Sequence, residues 1–158
     1  MKKLFAALLA GVVLAGALTG CQSGGKETAA YTKEQAQAIL DGGIFSESLE
    51  PLDCDVAWAL FSLEDAGLTR EQLTDGVYYR SAGATCEELA LLILDGEEAA
   101  QKAKGAVEQY LAGQIESNRD YRPAEIPKLE SAVLKRSGNT VLLVVSPDSG
   151  AVEKALEA

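Results

Sequence analysis

The chain has 158 residues, with 14 Lys and Arg against 24 Asp and Glu, no histidine, and a formal charge of −10. That sign opposes nucleic acid and anionic lipid headgroups as partners. Without imidazole, Ser-His-Asp and Cys-His nucleophile systems and His-ligated zinc or iron sites cannot be assembled, which leaves carboxylate pairs or a Ser-Lys pair as the formal routes to catalysis.

The first element is an address. Lys2 and Lys3 give a positive start, Leu4 to Ala17 an unbroken apolar stretch, and Leu18-Thr19-Gly20-Cys21 places small residues before a cysteine. This is the pattern of a secretory signal, and its last four residues resemble a bacterial lipobox. The resemblance implies cleavage before Cys21 and a diacylglycerol in thioether linkage on that thiol. A transmembrane helix is the alternative, but it needs about 20 apolar residues, and 4–17 falls short. Residues 1–20 are therefore expected to leave as a signal peptide, taking Lys2 and Lys3 with them and moving the formal charge from −10 to −12. Two acyl chains suffice for durable attachment. The expected location is the extracytoplasmic face of the cell membrane, with the membrane itself as a partner through Cys21.

Residues 21–30 are rich in Ser, Gly, Lys and Glu and lack apolar periodicity, as a flexible tether does. Their reach is on the order of 15–20 Å. One domain is expected over 31–158. Thr32 and Gln35 make a capping box, with Ala36, Ile39 and Leu40 as an apolar face until Gly42-Gly43. After an irregular passage through Phe45, Leu49 and Pro51, Asp53 caps a short helix whose Val56, Trp58, Leu60 and Phe61 wrap it nearly all round, predicting burial on most sides. Asp53-Cys54-Asp55 has the look of an acidic metal pair, but an N-cap with a first-turn carboxylate accounts for it. No metal or cofactor site is predicted.

Thr69 and Gln72 repeat the capping-box spacing for a single turn, and Gly76 opens a strand at 77–82. Residues 87–94 read as its antiparallel partner, because Asp95-Gly96-Glu97-Glu98 is a fresh capping box with Asp95 as the cap. From Gly96 to about Asn118, Ala99, Ala103, Val107, Tyr110, Leu111 and Ile115 recur at three and four residues, predicting an amphipathic helix roughly 35 Å long. Gly105 and Gly113 within it suggest close approach to a sheet. Pro123 and Pro127 restrict a loop or single turn. Ala132–Arg136 and Thr140–Ser146 flank Ser137-Gly138-Asn139 as a hairpin, and the continuous apolar run 141–145 predicts a strand covered on both faces. Asp148–Leu156 closes the chain as a short helix.

With Cys21 acylated, Cys54 and Cys86 form an even pair outside the cytoplasm. A disulfide would close a loop of about 33 residues and contribute about 3–4 kcal/mol. Two separate thiols, buried as small apolar residues, are the alternative.

Val77-Tyr78-Tyr79-Arg80-Ser81, Glu87-Glu88-Leu89-Ala90, Asp120-Tyr121-Arg122-Pro123 and the run from Gly138 to Asp148 follow one another in an order that resembles the lipoproteins grouped as domain of unknown function 4358. The resemblance covers roughly residues 35–150. It implies a lipid-anchored extracytoplasmic domain and supplies neither an activity, nor catalytic residues, nor a disulfide. Two residues in these phrases are candidate ligand contacts. Tyr121 either presents its ring to a ligand or packs it over the end of the long helix. Glu88 either meets a cationic group or stands as a solvated edge charge.

The expected architecture is α+β: a small, mainly antiparallel sheet with the helix of residues 96–118 on one face and short N- and C-terminal helices. The expected function is a noncatalytic binding module near the membrane, taking an envelope protein or small ligand. A structural or assembly accessory of an envelope complex is the alternative, and a carboxylate-dependent enzyme a third reading.

Overall fold

The structure, a computed structural model, describes residues 30–157. The signal segment, Cys21 and the tether up to Ala29 lie outside them. The domain is a five-stranded antiparallel sheet in the order β1-β2-β3-β5-β4, formed by Glu50–Leu52 (β1), Leu73–Arg80 (β2), Glu88–Leu94 (β3), Val133–Ser137 (β4) and Thr140–Val145 (β5). Five helices cover it: Lys33–Asp41 (α1), Cys54–Leu60 (α2), Glu97–Asn118 (α3), Ile126–Glu130 (α4) and Ser149–Leu156 (α5). The α+β architecture is the expected one.

Side-chain alternation divides the molecule into two cores. In β3, Leu89 and Leu91 face one side with Leu142 and Val144 of β5, and α1 and α5 cover them with Ala36, Ile39 and Val152. Ala90, Leu92 and Leu94 face the other side with Val141, Leu143 and Val145, beneath Ala99, Ala103 and Val107 of α3 and Ala57 of α2. Both faces of β3 and β5 are therefore buried, which explains their uninterrupted apolar sequence. The 138–139 turn joins β4 to β5 with Gly138 at φ 51, a conformation that favours glycine.

The capping boxes at Thr32 and Thr69 form as read, the second opening a single 3-10 turn, Arg70–Gln72. Asp53 caps α2, its carboxylate accepting from the Asp55 amide at 2.8 Å.

Four local expectations are corrected. The first concerns the start of α3, which is capped by Gly96 and not Asp95; the Asp95 amide is instead held by the Gln72 carbonyl at 2.8 Å, tying it to the start of β2. Next, α2 is not buried all round: it rests on the sheet through one side, so Ala57 is buried while Val56 is 39% exposed. Gly105 and Gly113 do not mediate close approach, since a Cβ at either would meet nothing within 4 Å; the alanines of α3 provide the sheet contact instead. Finally, the passage through Pro51 is an edge strand, β1, paired with the far end of β2.

Candidate ligand-binding cleft

Three segments converge where β2 ends and β3 begins. Antiparallel pairing puts Arg80 beside Glu88 and, on its other flank, beside Glu50 of β1. The 81–87 loop folds back on itself because the Ser81 hydroxyl accepts from the amides of Gly83 at 3.2 Å and Thr85 at 3.0 Å, while the Ser81 amide donates to the Glu87 carbonyl at 2.9 Å. The segment after α3 closes from above. There Arg122 donates from Nε to the Asn118 side chain at 2.7 Å and from Nη1 to the carbonyls of Gly83 and Thr85 at 3.3 and 3.4 Å. A cleft of about 690 Å³ lies among these segments, with Glu50, Leu52, Arg80, Ser81, Tyr121 and Arg122 in its lining. That volume falls within the usual span of ligand pockets, roughly 300–1,000 Å³.

Tyr121 is 88% exposed and stands at the cleft. The expectation that its ring packs over the end of α3 is thus overturned. Asn118 fills that position, buried and bonded to the Gln114 carbonyl at 2.8 Å, and Arg122 takes its remaining acceptor. Leu52, 38% exposed, is a second large apolar side chain in the same lining.

Glu88 does the reverse. It is 1% exposed, so it is neither a solvated edge charge nor open to a ligand. Its Oε2 accepts from the hydroxyl of Tyr78 at 2.8 Å and of Tyr110 at 3.1 Å, and the Arg80 guanidinium approaches to 4.0 Å. Phe61 wedges edge-on against both tyrosine rings, with centroids at 5.7 and 4.8 Å. Burial pushes the Glu88 carboxyl above its ordinary range, against the opposing pull of the Tyr78 hydrogen bond and of Arg80. Burial, and then the neighbouring Glu88 charge, push both tyrosines up as well. Glu88 therefore sets Arg80 in place from behind the cleft wall.

The adjacent Glu87, just before β3, is fully buried. It accepts from the Ser46 amide at 2.8 Å, from the Ser46 hydroxyl, and from Lys128 Nζ at 2.8 Å. Lys128 also reaches Glu125 at 3.1 Å, and the other Glu125 oxygen accepts from the Cys86 amide at 2.8 Å. This network fastens the 43–49 loop and α4 to the start of β3. It positions the cleft walls and does not line the cleft.

Cys54 and Cys86 are separate thiols. The Cys54 sulfur lies over Gly76, whereas Cys86 precedes Glu88, the register partner of Arg80. Four residues of β2, about 13 Å, divide those positions, beyond the reach of a disulfide. Burial raises both thiols above the ordinary range. Among the described residues, no group of His, Cys, Asp or Glu is arranged to hold a metal ion.

Sequence reasoning named Tyr121 and Glu88 separately as candidate ligand contacts and did not place them on opposite sides of one wall. It did not single out Arg80, Arg122, Glu50 or Leu52. Arg80 and Arg122 do stand inside two of the quoted phrases, which was the available signal; Glu50 and Leu52 sit in a stretch read as irregular. The match to known families agrees with that signal. The model of domain of unknown function 4358 (DUF4358) matches residues 64–146, more than half of the chain, and the chain belongs to that family. The matched region spans β2 through β5 and includes Arg80, Tyr121 and Arg122, while β1, α1 and α5 fall outside it. Neither a curated protein nor a solved structure matches the chain.

Proposed function

We propose that this member of the family is a noncatalytic binding module, anchored through a diacylglycerol on Cys21 at the extracytoplasmic face of the membrane, whose ligand occupies the cleft between Arg80 and Tyr121. The observation that carries this reading is the exposure of Tyr121 beside Arg122 and Leu52. Three large apolar side chains are exposed among the described residues, Leu52, Val56 and Tyr121, and two of them line one cleft. An apolar surface gathered with charged groups in a concavity supports ligand binding. An assembly accessory would call for a broad apolar patch. A Ser-Lys catalytic pair needs hydroxyl and amine in contact, whereas Ser46 and Lys128 both end on Glu87, and this supports the noncatalytic reading.

The point where the tether joins supports an orientation too. The Tyr31 amide donates to Thr140 Oγ1 at 2.9 Å, next to the β4–β5 turn and the last residues of β3. The cleft lies at the other end of β3, six residues away, which is about 20 Å along the strand. A domain held by Cys21 through a tether reaching on the order of 15–20 Å then carries its cleft on the side away from the bilayer. The ligand reaches it from the aqueous phase and not from the lipid.

The test is a thermal-shift screen of water-soluble small molecules against the full acylated chain in detergent micelles, run beside Tyr121→Ala. A ligand at 100 times its Kd stabilises by about 2.7 kcal/mol. Stabilisation of the parent chain that vanishes in Tyr121→Ala is the expected result. Stabilisation that persists unchanged in the variant would place the binding surface elsewhere.

A further inference from the structure

The charges of the cleft specify its ligand more narrowly, provided that the cleft is the binding surface as proposed above. The Arg80 side chain makes no hydrogen bond among the described residues; its nearest carboxylate is the buried Glu88, at 4.0 Å. Arg122 has no carboxylate partner among them, and its Nη2 edge is unused. Two guanidinium groups thus line one cavity with donor capacity left over, and a guanidinium binds a carboxylate through two parallel N–H bonds. Glu50, exposed and in register with Arg80, supplies a carboxylate to the same cavity and forms no ion pair among the described residues. Glu47, a further carboxylate near the wall, is already occupied by the hydroxyls of Ser81 at 2.6 Å and Thr85 at 2.8 Å.

A cleft with unspent charge of both signs, flanked by the Tyr121 ring and Leu52, is complementary to a ligand that also carries both signs and an apolar group. The field of the whole domain favours the same conclusion. A formal charge of −12, once Lys2 and Lys3 leave the chain of −10, repels polyanions, whereas a ligand with no net charge approaches without that penalty. We infer that the cleft binds a small zwitterion with an apolar side chain: a free amino acid or a di- or tripeptide. Its carboxylate lies against Arg122 and Arg80, its ammonium against Glu50, and its side chain against Tyr121 and Leu52.

Calorimetric titration of the full acylated chain in micelles with leucyl-phenylalanine, its N-acetyl form, its C-terminal amide and free phenylalanine tests this. Each blocked form is expected to bind about 10- to 100-fold more weakly than the free dipeptide, the loss that accompanies one charge-assisted hydrogen-bonded contact. Arg122→Gln should shrink the penalty for amidation to the share held by Arg80, and Glu50→Gln should erase the penalty for acetylation, each leaving the other penalty intact. Phenylalanine binding as tightly as the dipeptide assigns the site to free amino acids; weaker binding assigns it to peptides. Equal affinity for blocked and free forms overturns the zwitterion assignment, as does the absence of heat with every probe up to on the order of 10 mM. In either case the broader reading survives if another class of molecule stabilises the parent chain and not Tyr121→Ala. Dipeptide binding that is indifferent to Tyr121→Ala, Arg122→Gln and Glu50→Gln overturns both.

Discussion

Glu88 and Tyr121 show how far a residue's role depends on what surrounds it. Glu88 titrates above the ordinary carboxylate value of 4.5 because burial penalises its charge more than two tyrosine hydroxyls and Arg80 favour it. The folded chain therefore holds that proton more tightly than the unfolded chain does. The contribution of Glu88 is unfavourable at neutral pH and improves as pH falls from 7 toward 4.5. Glu88→Gln keeps an acceptor for both hydroxyls and removes the titration. The melting temperature of the parent chain relative to this variant should rise as the solution is acidified over that range; a difference that stays flat would show that Glu88 does not titrate as described. Tyr121, at 88% exposure, makes the complementary case. Its replacement by alanine is expected to change stability by less than about 0.5 kcal/mol, read from chemical denaturation.

The elements rely on contacts that are absent from local sequence. Gly76 sits in β2 where a Cβ would come within 2.4 Å of the Leu91 carbonyl oxygen and 3.3 Å of the Cys54 sulfur. Gly76→Ala forces β2 from β3 and should cost about 1–3 kcal/mol, seen as a lowered denaturation midpoint; an unchanged midpoint would mean that the strands relax freely. Beside the start of β3, Lys128 stands between the buried carboxylates of Glu87 and Glu125. Lys128→Met leaves them uncompensated and should destabilise by about 3–5 kcal/mol. Glu87→Gln in the same chain should recover part of that loss; strict additivity of the two changes would deny the coupling.

The same distinction between near and far explains what could be read in advance. Capping boxes at Thr32 and Thr69 and the apolar repeat of α3 are local, and they formed as read. The continuous run of β5 signalled burial on both faces, and its pairing with β3 followed. β1 escaped because three residues around a proline carry no period. The side of the sheet on which Glu88 lies was hidden for a different reason: β3 is apolar on both faces, so alternation gave no sign of which face its first residue shared with Tyr78 and Tyr110. Glu87, Glu125 and Lys128 meet across about 40 residues of chain, and nothing local in the sequence marks such a meeting. Arg80 and Arg122 were visible as residues in distinctive phrases, but only the fold places them on one cavity.

For the whole molecule, the separation of the proposed anchor from the cleft is the main consequence. The chain enters the domain at the β4–β5 turn, and the cleft opens at the opposite end of the sheet. In this account Cys21 sets where the domain is held, while the cleft sets what it holds. Cys21→Ala should move the protein from the membrane fraction to the soluble fraction and abolish incorporation of labelled fatty acid, without altering dipeptide affinity. Continued labelling of that variant would refute the anchor. The most direct test of the central claim is hydrogen exchange of the full acylated chain in micelles, with and without saturating leucyl-phenylalanine. New protection is expected to be confined to the segments around residues 50–52, 80–86 and 119–123. Protection centred instead on the cavity beside Gln37, Phe45 and Tyr79, or no change in exchange at saturation, would contradict it.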